Sequence, residues 1–221
     1  MAKKQVSTFI STQINEKSDR TLQLFFNRDK IEAGCDEAGR GCLAGPVVAA
    51  AVILDPNRPI TGLNDSKQLN HKTRVLLRKE IEEKALFWAI GICSPEEIDE
   101  INILWASIKA MHKALDQIKI KYNHILVDGN KFRPYKNIEH TCIVKGDSKF
   151  QAIAAASILA KEYRDDLMLE LHEEFPIYDW KQNKGYPTAV HRNAIAKGGI
   201  CIHHRHTFQL LPIVQTKLDL Y

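Results

Sequence analysis

Gly45-Pro46-Val47-Val48-Ala49-Ala50-Ala51-Val52-Ile53-Leu54 contains no charged and no polar side chain. An unbroken apolar run rich in valine predicts a strand buried on both faces, because a strand with one wet face would alternate. It is also far too short to cross a bilayer. Working outward, Ile31 to Asp36 predicts a short strand before it that ends in acid. Leu86 to Cys93 predicts a third strand after it, with a charge-alternating helix over Arg74 to Lys84 between. Three such strands with short connections suggest an antiparallel meander.

C-terminal to the meander the signals change. Ser94-Pro95-Glu96-Glu97 offers a serine N-cap, a proline at the first position and acids in the first turn, which predicts a helix start. From Asn102 to Lys119, residues Leu104, Ile108, Met111, Leu115 and Ile118 form one apolar stripe at helical spacing. His124 to Asp128 and Glu139 to Lys145 predict two more strands, running into Asp128-Gly129 and Gly146-Asp147. A long helix is expected over Phe150 to about Phe175, opening on Ala152-Ile153-Ala154-Ala155-Ala156. Strand-helix-strand order implies parallel pairing. The expected fold class is therefore α/β: a mixed five-stranded sheet, antiparallel meander then parallel strands, flanked by helices. The aromatic and basic loop Pro176 to Pro187 and a short helix near Thr188 to Lys197 are expected to form a C-terminal helical cap from about residue 176. Residues 1–29 read as an N-terminal extension to a 30–221 domain, its patch Leu22-Gln23-Leu24-Phe25-Phe26 packing a short helix on the body.

Composition sets outer bounds. The 221 residues suffice for one sizeable core. A net charge of +4 and a pI of 8.7 permit a polyanionic partner without requiring one. No apolar h-region follows Met1-Ala2-Lys3-Lys4-Gln5, so the expected compartment is the cytoplasm, with no membrane contact. Cys35, Cys42, Cys93, Cys142 and Cys201 include no C-x-x-C pair and are expected as reduced thiols. A monomer is the expected state.

Chemistry in open α/β sheets collects at the carboxyl ends of strands. Three of the expected strands end in acid: Asp36-Glu37, Asp128-Gly129 and Gly146-Asp147. Any one of these is as well read as a turn, since Asp-Gly and Gly-Asp are ordinary turn pairs. Together they imply adjacent carboxylates, costly to bury without a cation. Hard oxygen donors suit Mg²⁺ or Mn²⁺. Two such ions could activate a water and steady a leaving oxygen in phosphodiester hydrolysis.

The flanks of these acids carry a resemblance. Cys35-Asp36-Glu37-Ala38-Gly39-Arg40-Gly41-Cys42-Leu43-Ala44-Gly45-Pro46-Val47-Val48 resembles the opening signature of the ribonuclease HII family, with Cys42 where other members often have proline. Asp65-Ser66-Lys67-Gln68-Leu69, Val127-Asp128-Gly129, Lys145-Gly146-Asp147 and Ala154 to Lys161 with Arg164-Asp165 follow in the family's order. So do Lys184-Gly185-Tyr186-Pro187-Thr188 with His191, and His204-Arg205 with Phe208. The likeness runs from about Glu32 to Pro212.

The resemblance implies a ribonuclease H-like fold and a metal-dependent endonuclease. It would cut the RNA strand of RNA–DNA hybrids and the 5′ side of ribonucleotides embedded in duplex DNA, leaving 3′-hydroxyl and 5′-phosphate ends. Asp36, Glu37, Asp128 and Asp147 would bind a pair of Mg²⁺ or Mn²⁺ ions. Gly39-Arg40-Gly41 would sense the ribose, whose 2′-hydroxyl separates RNA from DNA. Tyr186 would stack on the following deoxyribose. Lys67, Lys145 and Lys184, with Arg40, Lys149, Lys161 and Arg164, are expected phosphate contacts. Asp65 is expected to support the metal site from outside.

Two further patterns are weaker. Cys201-Ile202-His203-His204-Arg205-His206 holds zinc-type ligands, but a structural site needs four and no second cluster accompanies it. Gln23-Leu24-Phe25-Phe26 has the make-up of a sliding-clamp peptide, although packing on the body is the simpler reading. Ribonuclease HIII is the nearest rival, but carries a large N-terminal domain that about 30 residues could not form. A non-catalytic duplex binder would not need the acid set, and a resolvase-like nuclease would lack the Gly39-Arg40-Gly41 and Tyr186 segments.

Overall fold

The computed structural model describes residues 22–211. Strands β1 (Glu32–Ala38), β2 (Val47–Ile53), β3 (Phe87–Cys93), β4 (His124–Asp128) and β5 (Glu139–Ile143) form one sheet in the order β3-β2-β1-β4-β5. β1 with β2 and β2 with β3 are antiparallel, whereas β1 with β4 and β4 with β5 are parallel. This is the expected mixed sheet. All seven residues of β2 are buried, as its unbroken apolar sequence requires.

Helix α2 (Pro95–Leu115) covers one face, packing Ala110, Met111 and Leu115 against Cys35 and Val127. Helices α1 (His71–Lys84) and α3 (Gln151–Glu174) cover the other, where Ile81, Ala155, Ile158 and Leu159 meet Ala50 and Val52. Each of the larger buried side chains here, leucine, isoleucine, valine or methionine, contributes about 1.5–3 kcal/mol. The small residues opening α3 let it lie close on β1. A Cβ on Gly34 would stand 2.3 Å from the carbonyl carbon of Ala152.

Helix α2 begins as its sequence demands, with a Ser94–Glu97 capping box. It breaks at Asn102, where φ is +62°, and Asn102 Oδ1 re-caps the second piece by accepting from the amides of Leu104 and Trp105. The helix stops at Leu115, so Ile118 packs from beyond its end.

Two other expectations are corrected. β5 ends at Ile143, not Lys145, because Lys145 takes a left-handed φ of +55° and starts a 3-10 turn, Gly146–Ser148, that carries Asp147. Leu22 to Phe26 is not helical. It is an extended strap whose Gln23 amide donates to Lys149 O at 2.8 Å and whose Gln23 carbonyl accepts from Gln151 N at 2.9 Å. The buried carboxylate of Glu32 takes the amides of Phe26 and Asn27, which local helix propensity cannot match. Residues 1–21 and 212–221, with the rest of the expected extension, lie outside the described residues.

After α3 the chain makes a 3-10 turn (Pro176–Tyr178), helix α4 (Trp180–Asn183) and helix α5 (Ala189–Gly198). Tyr178, Trp180 and Ile195 bury themselves against Leu43, Ala44 and Met168. Among the described residues no helix is long and apolar enough to cross a membrane. All five cysteines are free; Cys35, Cys42 and Cys93 are buried and Cys142 and Cys201 half-buried.

Candidate active site

Strand register places the acids. Cys35 pairs with Val127 across parallel β1 and β4, so the next residues, Asp36 and Asp128, stand level at the carboxyl ends of neighbouring strands. Even-numbered β1 residues face α3, as the Gly34–Ala152 approach shows. Asp36 therefore faces α3, and Glu37, one residue on, faces α2. Asp147 arrives from the turn after β5, and the amide of Gly146 donates to Asp128 Oδ1 at 2.7 Å. A cleft of about 330 Å³ opens here, with Asp36, Glu37, Asp128 and Lys67 in its walls beside Gly39, Arg40, Gly41 and Tyr186.

Electrostatics mark this as a strained cluster. Burial holds the Asp36 carboxyl well above the ordinary range, and the charges of Glu37 and Asp128 push it further, against a hydrogen bond from Ser157. Glu37 is raised by burial, with Asp128 adding to it and Arg40 opposing. Asp147 is raised by burial, then by Asp128 and Asp65, against Lys67. Burial opposes the charge on Lys67, but Asp65, Asp147 and Asp36 together hold its ammonium above the usual value. Three carboxyls thus share Asp128 as the neighbour that repels them.

Local cations partly answer the repulsion. Arg40 Nη1 donates to Glu37 Oε1 at 3.1 Å. Lys67 Nζ lies 3.5 Å from Asp147 and 3.7 Å from Asp65. With Glu37 turned to Arg40 and Asp147 to Lys67, no three acid, histidine or cysteine side chains among the described residues stand close enough together to hold an ion. The donor set itself fits a hard divalent cation. It is all carboxylate and crowded, and Asp36, Glu37 and Asp147 are raised in pKa by burial and then by repulsion, which such a cation would relieve.

Gly39 and Gly185 shape the cleft wall for steric reasons. Gly39 has φ +97°, and a Cβ there would collide with Arg164 Nε at 2.0 Å. Gly185 has φ +83°, and a Cβ there would lie 2.5 Å from Ala44 O. Leu43 N donates to Gly185 O at 2.8 Å, so the Tyr186 loop is clamped onto the Gly39–Ala44 loop. Gly41 is different: nothing lies within 4 Å of its would-be Cβ, and its backbone is open to the cleft. Tyr186 is 41% exposed, and Lys161 Nζ lies 5.9 Å from its ring centroid.

The structure brings together Asp36, Glu37, Gly39, Arg40, Gly41, Lys67, Asp128, Lys161 and Tyr186 in one cleft, with Asp147 beside Lys67. Lys145 and Lys184 stand outside its lining. Lys184 Nζ donates to Lys181 O, and Lys149 Nζ folds back on Val144 O. Arg164 corrects the expectation of a phosphate contact. It is buried, and its guanidinium donates to the carbonyls of Pro46, Ala44 and Lys184 at 3.0, 3.1 and 2.8 Å. Ser66 and Ser157 are the cleft residues that sequence reasoning passed over, with their Oγ atoms 2.9 Å apart. Both lie inside motifs quoted above, so their position was the available signal.

His204 does not stand free as a zinc ligand would. Its Nδ1 accepts from Cys201 N at 3.1 Å and its Nε2 meets His191 Nε2 at 3.2 Å. His191 Nε2 also accepts from Trp180 Nε1 at 3.1 Å, leaving Nδ1 to donate to Tyr186 O at 3.0 Å.

This sheet with acids at the ends of its central strands is that of the ribonuclease H nucleases. Ribonuclease H2 from Pyrococcus horikoshii superposes with a TM-score of 0.69 at 26% identity, over 81% of this chain and 94% of that one. Ribonuclease HII from Archaeoglobus fulgidus, solved as a PCNA complex, gives 0.67 at 28% identity over 86% and 98%. The sequence profile of ribonuclease HII matches residues 33–211. Ribonuclease HII of Bacteroides thetaiotaomicron is 60% identical over 195 residues, covering 88% of this chain and 98% of that protein. That of Parabacteroides distasonis is 61% identical over 188 residues, covering 85% and 94%. The chain belongs to the ribonuclease HII family and is an endoribonuclease.

Proposed function

We propose that this chain hydrolyses the RNA strand of RNA–DNA hybrids and cuts 5′ of ribonucleotides embedded in duplex DNA, leaving 3′-hydroxyl and 5′-phosphate ends. The observation that carries this reading is one cleft holding Asp36, Glu37 and Asp128 together with the open backbone of Gly41, with Tyr186 beside them. Asp36, Glu37, Asp128 and Asp147 would hold two Mg²⁺ or Mn²⁺ ions, which would supply charge neutralisation and activation of water when bound. The chain's own residues select and hold the strand. Gly41, whose would-be Cβ position is open space, offers backbone groups to a 2′-hydroxyl that deoxyribose lacks. The exposed Tyr186 ring offers a stacking face for the next sugar. Lys67 and Lys161 meet phosphates, and Ser157 steadies Asp36 through its hydrogen bond.

A cytoplasmic site of action agrees with the free thiols. Packing on the body, rather than clamp binding, is the role we assign to Gln23-Leu24-Phe25-Phe26. That strap is bridged to Phe150, and Phe26 lies against His124 and Phe150 with ring centroids at 5.4 and 5.8 Å.

The test is to incubate the protein with duplex DNA holding a single ribonucleotide, and separately with an RNA–DNA hybrid, in Mg²⁺ or Mn²⁺, and to map the ends. Incision on the 5′ side of the ribonucleotide is expected. No cut in either metal overturns the reading.

A further inference from the structure

A second set of residues suited to nucleic acid lies on the α2 side of the sheet, beyond the cleft. Glu37, facing that side, borders with Arg40 and Asp128 a hollow of about 40 Å³ whose opposite wall includes Ile108 and Lys131. Ile108 also lines an adjoining groove of about 400 Å³ walled by Trp105, His112 and Arg133. Ile108 is common to both, so the groove that holds the indole of Trp105 lies next to the hollow beside the carboxylates.

The groove is held in shape. The Trp105 amide donates to Asn102 Oδ1 at 3.3 Å, so the helix break at Asn102 sets where the indole sits. The guanidinium carbon of Arg133 lies 3.9 Å from the Trp105 ring centroid, and Arg133 O meets His112 Nε2 at 3.3 Å. Nearby cations are spoken for: Lys109 by Glu97 at 2.7 Å and Lys136 by Asp116 at 2.6 Å. Lys131 and Arg133 are exposed and enter no ion pair among the described residues. A layered tryptophan and arginine beside an unpaired lysine matches what a sugar-phosphate strand presents: flat faces to stack on and regularly spaced negative charge.

We propose that Trp105, Arg133 and Lys131 form a flanking subsite for the substrate strand that leaves the cleft past Glu37 and Asp128. Trp105 with Arg133 stacks on a base or sugar, and Lys131 meets a phosphate. The segment from Gly129 to Arg133 can reach about 14 Å, so the subsite serves nucleotides up to about four beyond the cut. It reads no sequence, since every base has a π-face. This inference rests on the nuclease reading of the cleft and adds to it a second, separate contact region.

The experiment compares hybrids whose duplex ends within about four base pairs of the cut with hybrids extending a full turn on each side. In the wild type the long flank should raise kcat/KM over the short one. Trp105→Ala and Arg133→Ala should each shrink that advantage roughly five- to thirtyfold, chiefly through KM, while Trp105→Phe should retain most of it. Arg133 is exposed, so its variant reports even if Trp105→Ala folds poorly. Binding gives a second readout. In EDTA the long hybrid should quench tryptophan fluorescence, and Trp105→Phe should remove that quench, since Trp180 is fully buried and Trp88 packs on the opposite, α1 and α3 side of the sheet with its Nε1 donating to Glu82 O at 3.2 Å. An unchanged long-flank advantage in both alanine variants, or an equal KM rise on short and long substrates, overturns the subsite. A quench that survives Trp105→Phe does the same. If the wild type cuts neither substrate, the nuclease reading is what fails, and the quench in EDTA still decides the subsite.

Discussion

The buried guanidinium of Arg205 donates to the backbone carbonyl of Arg40 at 3.0 Å, tying the C-terminal cap to the loop that carries Gly39, Arg40 and Gly41. Its other nitrogens reach Gly45 O at 3.1 and 2.9 Å and Pro46 O at 3.3 Å. Arg164 approaches the same loop from α3. Two buried cations are thus satisfied by carbonyls rather than carboxylates, and burial followed by repulsion from Arg164 pulls Arg205 down to about 10. Arg205→Lys keeps a charge but cannot fork across three carbonyls. It should cost about 2–4 kcal/mol, measured by urea unfolding, and lower kcat/KM by loosening the Gly39–Gly41 backbone.

Gly185→Ala tests the clamp under Tyr186. At φ +83°, and with a Cβ 2.5 Å from Ala44 O, the added methyl must push two loops apart. A loss of about 2–3 kcal/mol is expected by thermal or urea unfolding. Cleavage at a single ribonucleotide should suffer more than cleavage of an all-RNA strand, because the Tyr186 stack serves the junction. Equal losses on both substrates would argue against that role.

The cap should be sensitive to mild acid. His204 is held down to about 4 by burial, and then by the neighbouring His191 and other histidines. His191 is also lowered by burial. The unfolded chain takes up these protons near pH 6.5, while the folded chain resists them. Stability is therefore complete above that value and is lost as pH falls from about 6.5 toward 4, by about 2 kcal/mol. Melting curves between pH 7.5 and pH 4.5 should show the loss, and His204→Gln should flatten the slope.

The sequence carried most of the sheet and little of the second layer that supports the site. The β2 run, the Ser94 box and the acids at the ends of β1 and β4 are local signals, and each falls where local physics put it. Arg164 and Arg205 are not local. A cation bound for buried carbonyls looks the same in sequence as one bound for phosphate, and only the fold shows that Arg164 faces Pro46, Ala44 and Lys184. The Leu22–Phe26 strap reads as helix because its anchor, the Glu32 carboxylate, lies on another element. Ser66 and Ser157 meet across 91 residues, a pairing no window along the chain can display.

Metal addition should stabilise the protein as well as activate it. Asp36, Glu37 and Asp147 have carboxyls raised by burial and by neighbouring acids, so their ionisation at neutral pH opposes folding. A bound divalent cation relieves that opposition and adds its own linkage energy, about 2.7 kcal/mol at a hundredfold excess over its Kd. The melting temperature in Mg²⁺ should exceed that in EDTA, and the gap should narrow in Asp36→Asn. A gap of the same size in Asp36→Asn would remove that residue from the proposed set.

Asp128→Asn gives the sharpest separation of chemistry from folding. Asp128 raises the pKa of Asp36, Glu37 and Asp147, so neutralising it lowers the repulsion in the cluster. Asparagine keeps the carbonyl oxygen that accepts from Gly146 N at 2.7 Å, so the turn carrying Asp147 retains its anchor. The variant should therefore melt in EDTA no lower than the wild type. Binding of an RNA–DNA hybrid in EDTA should be kept or slightly tightened, because one negative charge facing the phosphates is gone. Cleavage in Mg²⁺ or Mn²⁺ should be abolished. Normal cutting would remove Asp128 from the proposed site, and a large drop in melting temperature would mean that the carboxylate serves the fold.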